Sequence, residues 1–488
     1  MVFSSNLFLF LFLPIVLAGY YVAPRAARNA WLLAASLLFY GWGGPRLPLL
    51  LTASIGMNHA LGAWVDRLRD RPAAARRVLI LAVVLNLAPL AWFKYAGFFS
   101  DLIAAPAALA GLPSWPRPDV ALPIGISFFT FQALSYVVDV YRRDANRSPS
   151  LVDTALYGSC FPQLVAGPIV RYRDVAEQMA SRRESISAFA EGIERFIVGL
   201  GKKVLSANTV GAVADLVFAV PAGELTAAPA WLGLVCYTLQ IYYDFSGYSD
   251  MAVGLGLMFG FRFVENFRYP YAARSIADFW RRWHVSLSVW FRDYVYIPLG
   301  GNRGGAACTY RNLLLVFLLC GLWHGAGWTF LVWGLFHGAF LVLERTGFGR
   351  RLERAPAVVA LVYTLAVVAY GWVMFRADDA THATIYFAAL AGMTDAASGA
   401  YHAGLYLDAA LASTLVGAVV GCTPIVPALR RKCSEFAASF DSRSSAVAQT
   451  SQALAFGGLR IAALGAVLAM VSVALSAATY NPFIYFRF

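Results

Sequence analysis

Eleven apolar windows follow one another along the chain, and their lengths restrict its fold more than anything else. A bilayer core about 30 Å thick takes about 20 apolar residues per helix. The windows are Val2–Tyr21, Ala30–Trp42, Leu47–Val65, Val78–Phe99, Val120–Tyr141, Phe196–Phe218, Trp231–Phe261, Leu313–Leu343, Val358–Phe375, Leu405–Leu429 and Leu459–Ala478. The second is short, the sixth is interrupted by Lys202 and Lys203, and the eighth is too long for one helix. Counting the eighth twice gives about 12 spans, within a range of about 11–13. Composition agrees: 59% of the 488 residues are hydrophobic and 14% charged, where soluble domains have about 45–50% and about 25%. The expected fold class is an all-α polytopic membrane protein. No Gly/Ser-rich linker, repeat or low-complexity segment divides it, so residues 1–488 read as one membrane domain. Leu112–Pro118 and Asp441–Gln452 read as polar loops.

Charge sets the expected orientation. The chain has 39 basic and 27 acidic residues, a formal charge of +12. In a membrane protein this excess belongs to cytoplasmic loops facing anionic lipid, and it does not point to nucleic acid. Basic loops lie at Pro24–Arg28, Asp66–Arg77, Arg142–Arg147, Arg171–Arg183, Arg345–Arg354 and Arg430–Lys432. They alternate with arginine-poor loops at Ser100–Asp119, Pro221–Pro229 and Ala377–Tyr401. Placing the basic loops inside puts the N-terminus outside, and an even span count returns the C-terminus there. Met1–Tyr21 lacks a basic start and runs into further spans, so it reads as a first span and not a cleaved signal. The six cysteines are scattered without a CxxC pair, which favours buried thiols over disulfides or a metal site. The ending NPFIYFRF suits an aromatic plug at the outer interface.

Three stretches break the pattern of simple spans. Asp153–Tyr172 is apolar but interrupted by Pro162, Gly167 and Pro168. Broken backbone at membrane depth needs cover from protein or a water-filled cavity, so a re-entrant or interfacial hairpin is expected. Ser275–Gly301 carries Arg281, Arg282, His284, Arg292 and Asp293 among aromatics. Trp280, Trp283, Trp290 and Phe291 recur at helical spacing, as in a helix lying in the interface. His284 and Ser288, four apart, would then share a face. The third, Leu313–Leu343, has 31 residues where two full spans take about 40. Gly321, Gly325 and Gly327 bracket His324, so two helices should meet at a glycine turn inside the protein. An ionisable residue placed there is a functional candidate, although a histidine bonded to a carbonyl across helices is the structural alternative. His337, 13 residues on, has a weaker claim. No HExxH, P-loop, GxSxG or Cys/His cluster appears, and no metal site is expected.

WRRWHVSLSVWFRDYVYIPLGGNRGG followed by GLWHGAGWTFLVWGLFHG resembles the membrane-bound O-acyltransferase (MBOAT) family. More narrowly, the chain is similar to the bacterial branch that serves alginate O-acetylation. YYDFSGYSDMAVGLGLMFGF at Tyr242–Phe261 matches that branch too, as do LPIGISFFTFQALSYVVDVYR, FPQLVAGPIVRY and the C-terminal NPFIYFRF. The resemblance implies a ring-shaped helix bundle with a central tunnel. It implies an essential histidine in the WHG block, here His324, and a second polar residue in the WRRWH block, here His284. Asp293, Arg292, Asp244 and Trp323 are candidates for positioning substrate or donor. No bound cofactor is implied; acetyl-CoA is the expected acyl donor.

The chemistry would move an acyl group from a thioester to a hydroxyl or a second carrier. It needs a base for the hydroxyl proton and an acid for the departing thiolate, and histidine titrates in the right range. The expected setting is the bacterial inner membrane, with a periplasmic SGNH-type acetyltransferase as partner and an exopolysaccharide such as alginate as acceptor. One alternative is D-alanyl transfer to teichoic acid. Another is a transporter of a polysaccharide or lipid precursor, which also has broken helices at mid-membrane. No inverted repeat favours the transporter.

Overall fold

The computed structural model describes residues 1–110, 117–118, 120–394, 399–429, 431–432, 446–477 and 480. Helix is the only regular structure among them. Every apolar window becomes helical, often with a longer helix than the window marks. A π-helical turn, Phe8–Phe12, leads into α1 (Leu13–Val22); α2 (Arg25–Gly41) and α3 (Leu47–Arg67) follow. α4 runs from Pro72 to Leu109, 38 residues with Pro89 and Pro106 inside it. The loop expected from Ser100 is therefore helical for its first ten residues. α5 (Ile126–Arg142) closes the first group.

The stretch Asp153–Tyr172 is broken and buried, as expected. α6 (Leu151–Ser159) ends at Cys160, α7 (Phe161–Leu164) is a single turn, and residues 165–170 continue without helix. All residues from Ser159 to Val170 are buried. α8 (Tyr172–Ala180) follows.

Lys202 and Lys203 do not break the sixth window. α9 (Ile186–Gly201) passes through a π-helical segment, Lys202–Ala207, into α10 (Asn208–Phe218). Lys203 is buried and pairs with Asp244 at 2.8 Å, so a charge that hydropathy counts against a span is neutralised inside the bundle. Asp244 lies on α11 (Ala227–Met258). α9 and α11 meet through two glycine pairs, Gly192 with Gly254 and Gly199 with Gly247. A Cβ on any of the four would lie 2.6–2.7 Å from its partner's carbonyl oxygen. The pairs are seven residues apart on both antiparallel helices, two turns, so the backbones touch along one stripe. Without water to drive helices together, such small-residue contacts are how membrane helices pack.

Ser275–Gly301 differs from the single interfacial helix expected. It forms α12 (Ile276–Trp280), a break at residues 281–284, α13 (Val285–Phe291) and a π-helical turn, Arg292–Tyr296. His284 stands at the break with φ +44°, so it does not share a helical face with Ser288. Trp280, Trp283, Trp290 and Phe291 are all buried inside the protein. Their helical spacing was a core signal, since aromatics recur at that spacing wherever a helix buries one face.

α14 (Gly305–His324) and α15 (Trp328–Glu344) form the expected hairpin. α14 starts eight residues before the apolar window because Thr309, Arg311 and Asn312 are helical but polar. Next come α16 (Gly347–Arg354), α17 (Ala357–Arg376), α18 (Ala380–Leu390), α19 (Ala409–Gly421) and α20 (Ala446–Ala477). α18 lies within the stretch expected to be an outer loop. Among the described residues, four helices are long and apolar enough to cross a membrane: Pro72–Ala104, α14, α17 and Gly457–Ala477. Phe8–Val22, α15 and α19 are shorter apolar helices. Large apolar side chains stay exposed on these helices, Ile80, Val84, Val358, Val362 and Val473 among them, as on a lipid-facing surface.

The first four basic loops meet one another, and so do two of the three arginine-poor loops. Among the basic ones, Arg147 pairs with Asp66, Arg28 with Glu184 and Arg173 with Asp144. Among the arginine-poor ones, Trp231 donates to the Leu390 carbonyl and Thr394 to that of Leu225. Tyr480 joins the second group by donating to Asp215, which also pairs with Arg376. The final eight residues, and with them the expected aromatic plug, lie outside the described residues.

Candidate active site

The α14–α15 hairpin carries the site. Gly321 faces the Phe330 carbonyl and Gly334 that of Phe317, each with no room for a Cβ. This backbone contact seats the two helices against each other just before the turn at Gly325–Gly327. His324 is the last residue of α14 and is buried. The final carbonyls of a helix have no partner within it. Here α4 supplies them: Tyr95 Oη donates to the Leu322 carbonyl at 2.5 Å, and Lys94 Nζ to those of Trp323 and His324 at 2.5 and 2.9 Å.

His284 approaches from the break between α12 and α13. Its left-handed backbone is uncommon for a residue with a Cβ, and such conformations gather at functional sites. Asn266 fixes it: the Val285 amide donates to the Asn266 carbonyl at 3.0 Å, and Ser286 Oγ to Asn266 Oδ1 at 2.9 Å. His284 Nδ1 lies 3.2 Å from the same Oδ1. The ring is fully buried, edge-on to Phe245 at 4.6 Å between centroids.

The two imidazoles lie 6.5 Å apart between centroids. Trp323 packs beside both, 5.9 Å from His284 and 4.8 Å from His324. Trp333 and Phe375, each at 5.1 Å, complete the aromatic wall around His324. His324 Nδ1 is buried without a hydrogen-bond partner among the described residues. An unsatisfied buried polar atom costs about 1–3 kcal/mol and calls for an explanation, a ligand among them.

His324 and Trp323 line a cavity of about 230 Å³ with Lys94, Gly125, Ser127 and Phe128. Gly125, at φ +77°, lies against the Leu164 carbonyl, so the broken segment after α6 buttresses the cavity wall. A second, more polar cavity of about 420 Å³ shares Lys94 and Leu122 with the first and reaches Arg117.

Of the residues expected from sequence, His324, His284 and Trp323 come together. Asp293 and Arg292 do not join them by any contact described. They form an ion cluster instead: Asp293 pairs with Arg171, with Arg173 at 2.5 Å and with Arg292 at 2.7 Å. Burial pushes the Asp293 carboxyl up, but Arg292, Arg171 and Arg173 outweigh it and hold the group below the ordinary carboxylate range. Asp244 neighbours Phe245 in sequence, yet its carboxylate pairs with Lys203. Asp293 and Asp244 are buried with partners of opposite charge, and Arg292 is an exposed member of the Asp293 cluster. Sequence reasoning missed Lys94, Asn266, Trp333 and Phe375. Lys94 had a signal: it is the only charge within Val78–Phe99, and an ionisable residue in a span is a candidate by default. Asn266 had none, because its role depends on a chain break that hydropathy does not show. His337 is fully buried, 5.1 Å from Trp333, with neither ring nitrogen partnered among the described residues.

A model of the membrane-bound O-acyltransferase family matches residues 79–375. The chain is 43% identical to the "probable alginate O-acetylase AlgI" of Azotobacter vinelandii over the whole of both chains. It is 48% identical to the protein of that name from Pseudomonas aeruginosa, over 78% of this chain and 72% of that one. Against a peptidoglycan O-acetyltransferase of Helicobacter pylori it is 37% identical, over 78% and 77%.

Proposed function

The chain belongs to the membrane-bound O-acyltransferase family and is a multi-pass membrane O-acyltransferase; from that premise we propose which reaction it runs and where. It passes an acetyl group from a cytoplasmic thioester, acetyl-CoA, across the bacterial inner membrane for O-acetylation of an exopolysaccharide such as alginate. The acceptor hydroxyl belongs to the polymer or to a periplasmic SGNH-type acetyltransferase partner; either presents the same oxygen nucleophile. Both termini face the periplasm, and the basic loops face the cytoplasm and its anionic lipid.

His324 is the general base. The acceptor oxygen attacks the thioester carbonyl carbon while His324 takes the hydroxyl proton. The C–S bond then breaks, and the departing thiolate receives that proton. His284, 6.5 Å from His324 between ring centroids, holds the carbonyl or the acceptor, and Trp323 fixes the spacing between the imidazoles. Asp293, Arg292 and Asp244 act through the fold, because their carboxylates and guanidinium are engaged elsewhere.

One observation carries this assignment: a buried imidazole at a helix end lines a cavity and keeps a ring nitrogen unpaired among the described residues. General acid–base catalysis contributes about 10²–10⁴-fold. His324→Ala should therefore cut acetyl transfer by about that factor, with detergent-extracted melting near wild type. Retention of more than roughly a tenth of the activity would refute the base assignment. Loss of activity through misfolding would return His324 to a structural role.

A further inference from the structure

We propose that Lys94 is a positioning residue of the transfer reaction, acting through His324, and this rests on the general-base assignment above. Lys94 and Tyr95 are neighbours on α4, and together they take the last three carbonyls of α14, those of residues 322–324. The group closest to the base is the ammonium, which binds His324's own carbonyl at 2.9 Å. Beyond it the chain passes into Gly325–Gly327 in extended conformation, and His324 Nδ1 has no hydrogen-bond partner among the described residues. The Lys94 bond thus restrains the backbone of the base at the place where the helix no longer can.

A hydroxyl could satisfy these carbonyls, as Tyr95 does one residue earlier. An ammonium there has a specific match, since the carbonyl end of a helix carries partial negative charge. Among the described residues Lys94 has no carboxylate within ion-pair distance, whereas the buried Lys203 is matched by Asp244. Its amine therefore donates to the carbonyls of the helix end, and with Leu122 it lines both cavities.

The test uses the full-length protein reconstituted in vesicles, with acetyl-CoA as donor. A base displaced by about 1 Å can cost about 100-fold, so Lys94→Met should lower kcat roughly 10- to 100-fold. KM for acetyl-CoA should stay within about twofold, because only the reacting geometry is lost. Tyr95→Phe, which loosens the same helix end without removing charge, should cost less than about threefold. Lys94→Cys should regain activity when an aminoethyl group is attached to its thiol, and not when an ethyl group is. Wild type treated alike controls for Cys308, the one described cysteine that is not buried. Lys94→Met within about threefold of wild type, beside an inactive His324→Ala, would overturn the Lys94 assignment alone. Equal rescue by ethyl and aminoethyl would overturn it too, as would failure of both Lys94 variants to fold. An active His324→Ala would instead overturn the parent assignment, whatever Lys94 does.

Discussion

At the scale of single residues, His284 and Asp293 occupy neighbouring stretches of chain and do different things. His284 faces His324, and its left-handed backbone is held by Asn266. Asn266→Ala removes the acceptor that binds Ser286 and leaves those donors buried, at about 1–3 kcal/mol. It should lower the melting temperature and the activity together; unchanged activity would separate His284's orientation from catalysis. Asp293 should show itself in pH dependence. A carboxylate held low in the folded state contributes stability above its unfolded value, about 3.9. That contribution is lost as pH falls through the folded value. Melting temperature of the wild type should fall more steeply below about pH 4 than that of Asp293→Asn. Parallel curves would mean the arginines around Asp293 do not depend on its charge. Sequence showed His324 and His284 through their motif blocks, and in the structure their rings lie 6.5 Å apart between centroids. Asp293, Arg292 and Asp244 were named because charge in an apolar chain is conspicuous; what sequence could not show is that Asp293 and Asp244 have partners far away along the chain, Arg171 and Arg173 for one and Lys203 for the other.

At the scale of elements, glycines decide how the helices meet. The hairpin turn around His324 was legible because three glycines bracket one histidine. The α9–α11 stripe was not, since its four glycines only form a pattern once the antiparallel register is known. Gly321→Ala tests the hairpin: the new methyl would collide with the Phe330 carbonyl and push α15 away three residues before His324. Overpacking costs typically about 1–3 kcal/mol. Activity should fall by more than the loss of folded protein explains; a fully active variant would show that the hairpin tolerates looser packing. Ser275–Gly301 misled for a physical reason. Its charges exclude a span, but aromatic spacing alone does not distinguish a helix lying on a membrane from two short helices buried within a protein.

At the scale of the whole molecule, alternating loop charge predicted two ends; the first four basic loops contact one another, as do the loops at Pro221–Pro229 and Ala377–Tyr401. Which end faces the cytoplasm is testable by labelling from outside intact cells. A cysteine placed in Asp66–Arg77 should stay unlabelled and one in Ala377–Tyr401 should label; the reverse would invert the topology. The central claim is that acetyl crosses the membrane by way of His324. Proteoliposomes given radiolabelled acetyl-CoA on the side of the basic loops, with acceptor on the other, test it directly. Label should appear on acceptor across the bilayer with wild type, and should drop about 10²–10⁴-fold with His324→Ala. Label confined to the donor side, or crossing equally well without His324, would contradict the account.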